Sequence, residues 1–410
     1  MNSSARPAAL ASLDVEQPGF YLRDDYFDIL AWLRANDPVH RSSNGMVLVS
    51  RYEDIREISR SPLRYTSRQG ALVNDPVRFS GPNDRAGSLL HLDPPIHADY
   101  RKLLNRQFTP RAVAAMDGAI RRVTNGVFDA VDRKLEEGAT DLDFVELIAM
   151  PVPVLVIAEL LGIRDQSLDD LRRWSDAAIA VSDDQSPGVL ADISEFASYL
   201  SHHVRTTFEC VDAGEPGDDL ISLLATSQVG GNALTRSQVE LFCLTLVVAG
   251  NETTRSLLSG AALALAEHPE QRASLAADPE LLRGAVEECL RWVTPIQAFC
   301  RTAVEDGRIN GTPVQADDYL VLLYASGNRD ETVFGPTAER FDLRRPVVPA
   351  HLAFGFGEHV CLGASLARLE VRIVLDELLR RHPTYEVVGA PTEVPSTLTK
   401  SMATLPVRLR

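Results

Sequence analysis

The stretch Phe354-Gly355-Phe356-Gly357-Glu358-His359-Val360-Cys361-Leu362-Gly363 sets one cysteine in a loop punctuated by three glycines. Glycine reaches backbone angles closed to other residues and lets the chain approach a flat partner closely. Beyond Gly363, residues Leu366, Leu369, Ile373 and Leu378 recur at helical spacing, which predicts a helix over Ala364 to Arg381. Cys361 then lies at a helix N-terminus, where the dipole and free N–H groups are expected to lower its pKa and favour thiolate. A lone thiolate held in this way is a soft ligand for one metal. The plainer alternative is a structural cysteine buried in a turn.

Composition narrows the rest. The chain has 410 residues and 45% apolar content, enough for a large core. Its 41 basic and 57 acidic residues leave a net charge of −16, which argues against nucleic acid and against a polybasic membrane anchor. Five scattered cysteines make no disulfide framework and suit a reducing compartment. Met1 to Pro18 has no apolar run of signal-peptide or spanning length and reads as a flexible arm, with residues 19–410 as one domain.

The strongest helical pattern runs from Leu234 to His268. Thr235 and Gln238 have capping-box spacing, and His268-Pro269 marks the stop. Leu241 to Ala249 is apolar on nearly every side, so this helix should cross the core. Its middle, Ala249-Gly250-Asn251-Glu252-Thr253-Thr254, breaks the pattern. Glycine inside a helix costs about 1 kcal/mol relative to alanine, and an unpaired buried carboxylate costs more. Such local violations mark function. An exposed polar patch, or a Glu252–Arg255 pair at i,i+3, is the alternative.

Four further signals are weaker alone. Val39 to Val49 reads as a hairpin turning at Asn44-Gly45, and Ser61 to Leu90 as a long loop. Asp93-Pro94-Pro95-Ile96-His97 leads into a helix that puts His97 and Arg101 on one face, suited to a pair of carboxylates or simply to solvent. Glu288 and Arg291 form an E-x-x-R on a helix over Pro279 to Val293.

In combination these segments resemble the cytochrome P-450 superfamily. The cysteine loop matches F-G-x-G-x-H-x-C-x-G at every fixed position, and Ala367 follows as the pattern continues. Ala249 to Thr254 matches A-G-x-(D/E)-T-(T/S), and Arg301 to Asp306 matches R-x-A-x-E-D. The resemblance covers the chain from about Tyr26 onward. It implies a mostly α (α+β) fold, a helical bundle around haem with small β-sheets.

The resemblance also implies a function. Haem b is the expected cofactor and O2 the co-substrate, with Cys361 as axial thiolate. His97, Arg101, Arg301 and His359 are the expected propionate contacts; Phe354, Gly355, Gly363, Ala249 and Gly250 line the porphyrin. Glu252 relays protons and Thr253 donates the hydrogen bond on the oxygen side. Val293, Ile296 and Leu246 face substrate, and Glu288, Arg291 and Arg340 form a structural charge network. The joint near Ser182 to Gly188 is expected to act as a lid. Arg101, Lys102, Arg106, Arg111, Arg340, Arg344, Arg345, Arg368 and Arg372 suit an acidic redox partner, or are ordinary surface charge.

The activity implied is a monooxygenase hydroxylating a hydrophobic small molecule. Electrons come from a ferredoxin and its NAD(P)H-dependent reductase. The expected form is a cytoplasmic monomer of the soluble prokaryotic type without an anchor. Asn251-Glu252-Thr253-Thr254-Arg255 resembles members acting on sterol, terpenoid or alkyl chains. A natural-product tailoring oxidase, a peroxide-driven peroxygenase and a non-catalytic haem ligand-binding protein are the alternatives.

Overall fold

The longest helix among the described residues, Arg236–Glu267, has 32 residues and in the computed structural model spans about 48 Å. Residues 10, 13–80, 88–180 and 186–410 are described. Both halves of the expected capping box form: Thr235 Oγ1 accepts from Gln238 N, and Thr235 N donates to Gln238 Oε1. Helices Pro151–Leu161, Pro187–Asp212, Leu282–Val293 and Ala364–Arg381 pack around this central helix. One continuous apolar cluster joins them, with Phe242, Val247, Leu258, Leu265, Ile373 and Leu378 at its heart. The Ala364–Arg381 helix begins where the apolar spacing placed it, with Gly363 as its N-cap.

A five-stranded sheet flanks the helices in the order Val39–Arg41, Val47–Val49, Tyr319–Leu323, Ala298–Ala303, Tyr65–Thr66. Tyr319–Leu323 is buried throughout, as a central strand with both faces covered should be. Leu320 lies opposite Arg301 and Val321 opposite Cys300. Side chains alternate faces along a strand. Cys300 therefore joins the cluster around Tyr21 and Tyr26, while Arg301 shares the face of Phe299 and Leu320. A small hairpin, Thr392–Val394 with Ser401–Thr404, lays Ser401 against the central helix.

The Val39–Val49 hairpin forms, with Gly45 at φ 86°. The loose arm is corrected where it is described: Leu10, Leu13 and Val15 are buried against the sheet-side cluster, because their apolar side chains find a core there. Residues 1–9, 11 and 12 of the arm, 81–87 of the long loop and 181–185, which take in the first part of the expected lid, lie outside the described residues. Among the described residues, no helix is long and apolar enough to cross a membrane.

Candidate active site

The cysteine loop is closed by its own backbone. Cys361 N donates to Phe354 O at 2.8 Å, and Gly355 N donates to Leu352 O at 2.8 Å. Gly355 and Gly357 take φ of 68° and 72°, in the region where other residues are strained. Gly357 was not singled out among the site residues, yet a Cβ there would collide with the Ser59 carbonyl oxygen. The two are remote in sequence, so no local signal showed the contact. A Cβ at Gly363 would meet only Cys361 Sγ, at 4.0 Å. Gly357→Ala is therefore expected to destabilise the protein by more than about 2 kcal/mol, through strain and a backbone clash. Gly363→Ala should leave the urea midpoint nearly unchanged; equal midpoints for the two variants would refute this account.

Cys361 is solvent-accessible, yet it lies deep enough for desolvation to act. Burial pushes its thiol up, while the Gly363 N–H and the charges of Arg101 and Arg368 pull it back. The net direction is up, which corrects the expected low pKa. The helix terminus does favour thiolate, but the cost of burying the charge exceeds it. A bound cation inverts this balance by deprotonating the thiol that coordinates it.

On the central helix, Leu246, Ala249, Gly250 and Thr253 fall on one stripe at i, i+3, i+4 and i+7. That stripe is accessible at mid-helix, with Ala249 exposed, whereas Val247, Asn251, Glu252 and Thr254 are buried. Gly250 carries a second constraint, since a Cβ there would press on Ile157 of the neighbouring helix at 2.8 Å. Thr253 Oγ1 donates to Ala249 O at 2.7 Å, which leaves its lone pairs free along the stripe. Glu252 points elsewhere. It accepts from Ser401 Oγ and pairs with Arg255 at 2.9 Å, and Arg255 in turn donates to Asp176 at 3.0 Å. The i,i+3 pair weighed as the plain alternative is thus present, on a buried rather than an exposed carboxylate. Ser401 and Asp176 were missed, because nothing local marks a partner that tertiary packing supplies.

The four expected donors converge. The rings of His97 and His359 lie 4.2 Å apart, and Ser67 Oγ sits 3.3 Å from His359 Nε2. Burial pushes His97 down to about 4, helped by the charges of Arg101 and Arg301. Burial also pushes His359 down to about 2, with Arg301, His97 and Arg101 adding to it. Arg301 is buried and donates to Cys300 O at 2.6 Å. The nearby acid, Asp93, is occupied by Thr66 Oγ1 and the Ser67 N–H. Two guanidinium groups and two neutral imidazoles thus gather beside an acid that is already hydrogen-bonded elsewhere, a donor set that fits anionic arms.

Three other expectations change. Val293 is a core residue rather than a pocket residue, because Gly260 of the central helix makes room for its methyls. Leu246 and Ile296 remain partly accessible. In the charge network, Glu288 and Arg291 pair at 2.7 Å as expected, but Arg340 contributes only its carbonyl. Its side chain is exposed; the second guanidinium on Glu288 is that of Arg345, at 3.1 Å. The basic cluster thins accordingly. Arg345 is held inside, Arg368 binds Glu287 and Arg372 meets Asp117, while Lys102, Arg106, Arg111 and Arg344 stay exposed.

An accessible cysteine on a glycine loop, a small-residue stripe on the long helix and a carboxylate-seeking cluster fit a porphyrin with two acidic arms and one axial sulfur. The class so defined is a haem-thiolate protein. The cytochrome P450 family profile matches residues 191–407. A steroid C26-monooxygenase of Mycobacterium tuberculosis is 34% identical over 385 residues, 93% of this chain and 92% of that protein. A linalool 8-monooxygenase of Pseudomonas putida is 33% identical over 389 residues, 91% of this chain and 93% of that protein. The solved structure of the cytochrome P450 CYP268A2 of Mycobacterium marinum, in complex with pseudoionone, superposes with a TM-score of 0.85 at 32% identity, covering 99% of this chain and 100% of that one. The chain belongs to the cytochrome P450 family, and it is a monooxygenase that uses haem and O2 on a hydrophobic substrate.

Proposed function

We propose that this monooxygenase hydroxylates an aliphatic C–H bond on a branched apolar skeleton, a steroid side chain or a terpenoid, with electrons from a ferredoxin and its NAD(P)H-dependent reductase. The likeness to a steroid and a linalool monooxygenase supports the substrate class. The observation that carries the O2-driven reading is the intact Glu252–Thr253 pair, one member facing the accessible stripe and the other anchored behind it.

When bound, haem supplies the oxidising chemistry with Cys361 as its ligand. The chain's own residues do the positioning and the proton work. His97, Arg101, Arg301 and His359 hold the acidic arms. Thr253 Oγ1 can exchange its bond to Ala249 O for one toward the open face. Glu252 takes a proton on the carboxylate that Ser401 and Arg255 hold, and releases it toward Thr253. Arg255 and Asp176 lie on the outer side of this relay; Asp176 is the more exposed. A peroxide-driven enzyme needs no such pair, which favours the O2-driven reading.

Reconstitution with a ferredoxin, its reductase and NAD(P)H tests the proposal across steroid, terpenoid and macrolide panels. A monohydroxylated steroid or terpenoid is the expected product; turnover of macrolides alone would move the enzyme to natural-product tailoring. In the same assay Thr253→Ala should lower product per NAD(P)H on the order of tenfold or more and release hydrogen peroxide. Unchanged coupling would remove Thr253 from the relay.

A further inference from the structure

A second set of charges, built from other residues than the donor cluster, closes against the cysteine loop. Glu287 accepts from Arg368 Nε at 2.6 Å and from Arg368 Nη2 at 2.9 Å, a two-pronged pairing that only a guanidinium provides. The same carboxylate lies 3.2 Å from His351 Nε2. His351 Nδ1 accepts from Ala353 N at 3.2 Å, so the proton belongs on Nε2, where it is donated to Glu287. His351 is buried. Against the upward push of burial, the bonds from His351 and Arg368 hold the Glu287 carboxyl down to about 2.

Both cationic partners lead to one ring. The Arg368 guanidinium lies 4.5 Å above the centroid of Phe354, and the His351 ring is 5.7 Å from it. Phe354 is also the residue whose carbonyl receives the Cys361 N–H. Three elements therefore meet at Glu287: the Leu282–Val293 helix, the loop segment His351 to Phe354, and the Ala364–Arg381 helix.

We propose that Glu287, His351 and Arg368 act as positioning residues for Cys361: Glu287 holds Arg368 over Phe354 and His351 on Ala353, fixing the backbone of the loop that carries the cysteine and the place of the Arg368 charge against that loop. This rests on ligation of haem by Cys361. Arg368 is partly exposed, but its guanidinium is engaged by Glu287 and Phe354 and is not a free surface charge.

The test uses the haem-loaded protein and its Arg368→Met, Arg368→Lys and Glu287→Gln variants. Two readouts are taken: the iron midpoint potential, and the rate at which the reduced CO complex loses its red-shifted Soret band to the shorter-wavelength form. Arg368→Met removes a charge that favours added electrons, so its potential should move to more negative values. Arg368→Lys should restore most of that shift, yet lose the red-shifted band faster than wild type because it can neither fork onto Glu287 nor stack as flatly. Glu287→Gln should speed the same loss with little change in potential. Wild-type potential and band lifetime in both Arg368→Met and Glu287→Gln would overturn the proposal. If Arg368→Met fails to load haem, the lifetime of Arg368→Lys decides, and a wild-type value overturns the proposal. A wild-type protein without the red-shifted band would instead overturn ligation by Cys361, so the two failures are distinguishable.

Discussion

Cys361→Ser is expected to erase the red-shifted Soret band of the reduced CO complex and to abolish monooxygenation, while the fold persists. The exchange is nearly isosteric, and the bond that closes the loop runs from Cys361 N to Phe354 O, so it survives. What the variant lacks is the soft, electron-releasing sulfur that would ligate the haem iron and favour O–O cleavage. No other cysteine can replace it. Cys243, Cys289 and Cys300 are buried in apolar surroundings that push their thiols up, Cys300 to about 12. Cys210 is exposed on the helix Pro187–Asp212. Among the described residues no group of three or more His, Cys, Asp or Glu is placed to hold a metal. Absorbance of the reduced CO complex and circular dichroism, measured together, decide the matter. A red-shifted band retained in Cys361→Ser would end the haem-thiolate reading; a lost band with a lost fold would call for Cys361→Ala.

The sequence carried the elements that depend on near neighbours. The central helix was legible at both ends because Thr235 and Gln238 cap each other and Pro269 blocks continuation. The C-terminal helix was legible because its apolar side chains repeat at helical spacing from Gly363 onward. The donor quartet was legible only by resemblance, since the four come from three separate segments that folding joins. What stayed hidden were partners supplied from a distance: Ser59 against Gly357, Ser401 and Asp176 around the Glu252 carboxylate, and Arg345 on Glu288. The direction of the Cys361 thiol was hidden for another reason. A helix terminus can be read from the chain, but the depth that sets desolvation cannot. Val293 was misplaced because an apolar residue leaving a helix looks the same whether it faces substrate or a glycine on another helix.

Arg291→Lys is expected to cost about 3 to 5 kcal/mol, a large share of the roughly 5 to 15 kcal/mol by which folded proteins are stable. All five N–H donors of the Arg291 guanidinium are used. Nε and Nη2 reach Glu288, each at 2.7 Å. Nη1 reaches Asn328 O and Ala338 O, both at 2.8 Å, and Nη2 also reaches Arg340 O at 2.9 Å. Lysine has three donors on a single point and cannot reproduce this fork. At least two buried acceptors would lose their partner, each at about 1 to 3 kcal/mol. Asn328 extends the effect, since its side chain bonds Thr294 Oγ1 at 2.8 Å and Leu352 N, at the start of the cysteine loop. Loss of Arg291 thus reaches the cysteine loop through Asn328 and Leu352. Retaining the charge separates this from simple loss of an ion pair, because Arg345 still faces Glu288 in the variant. Urea unfolding of Arg291→Lys beside Arg340→Lys is the decisive comparison. Arg340 offers only its carbonyl, so its substitution should be nearly silent. If Arg291→Lys unfolds at the wild-type urea concentration, or Arg340→Lys proves the costlier change, the network is not organised as the bonds at Arg291 indicate.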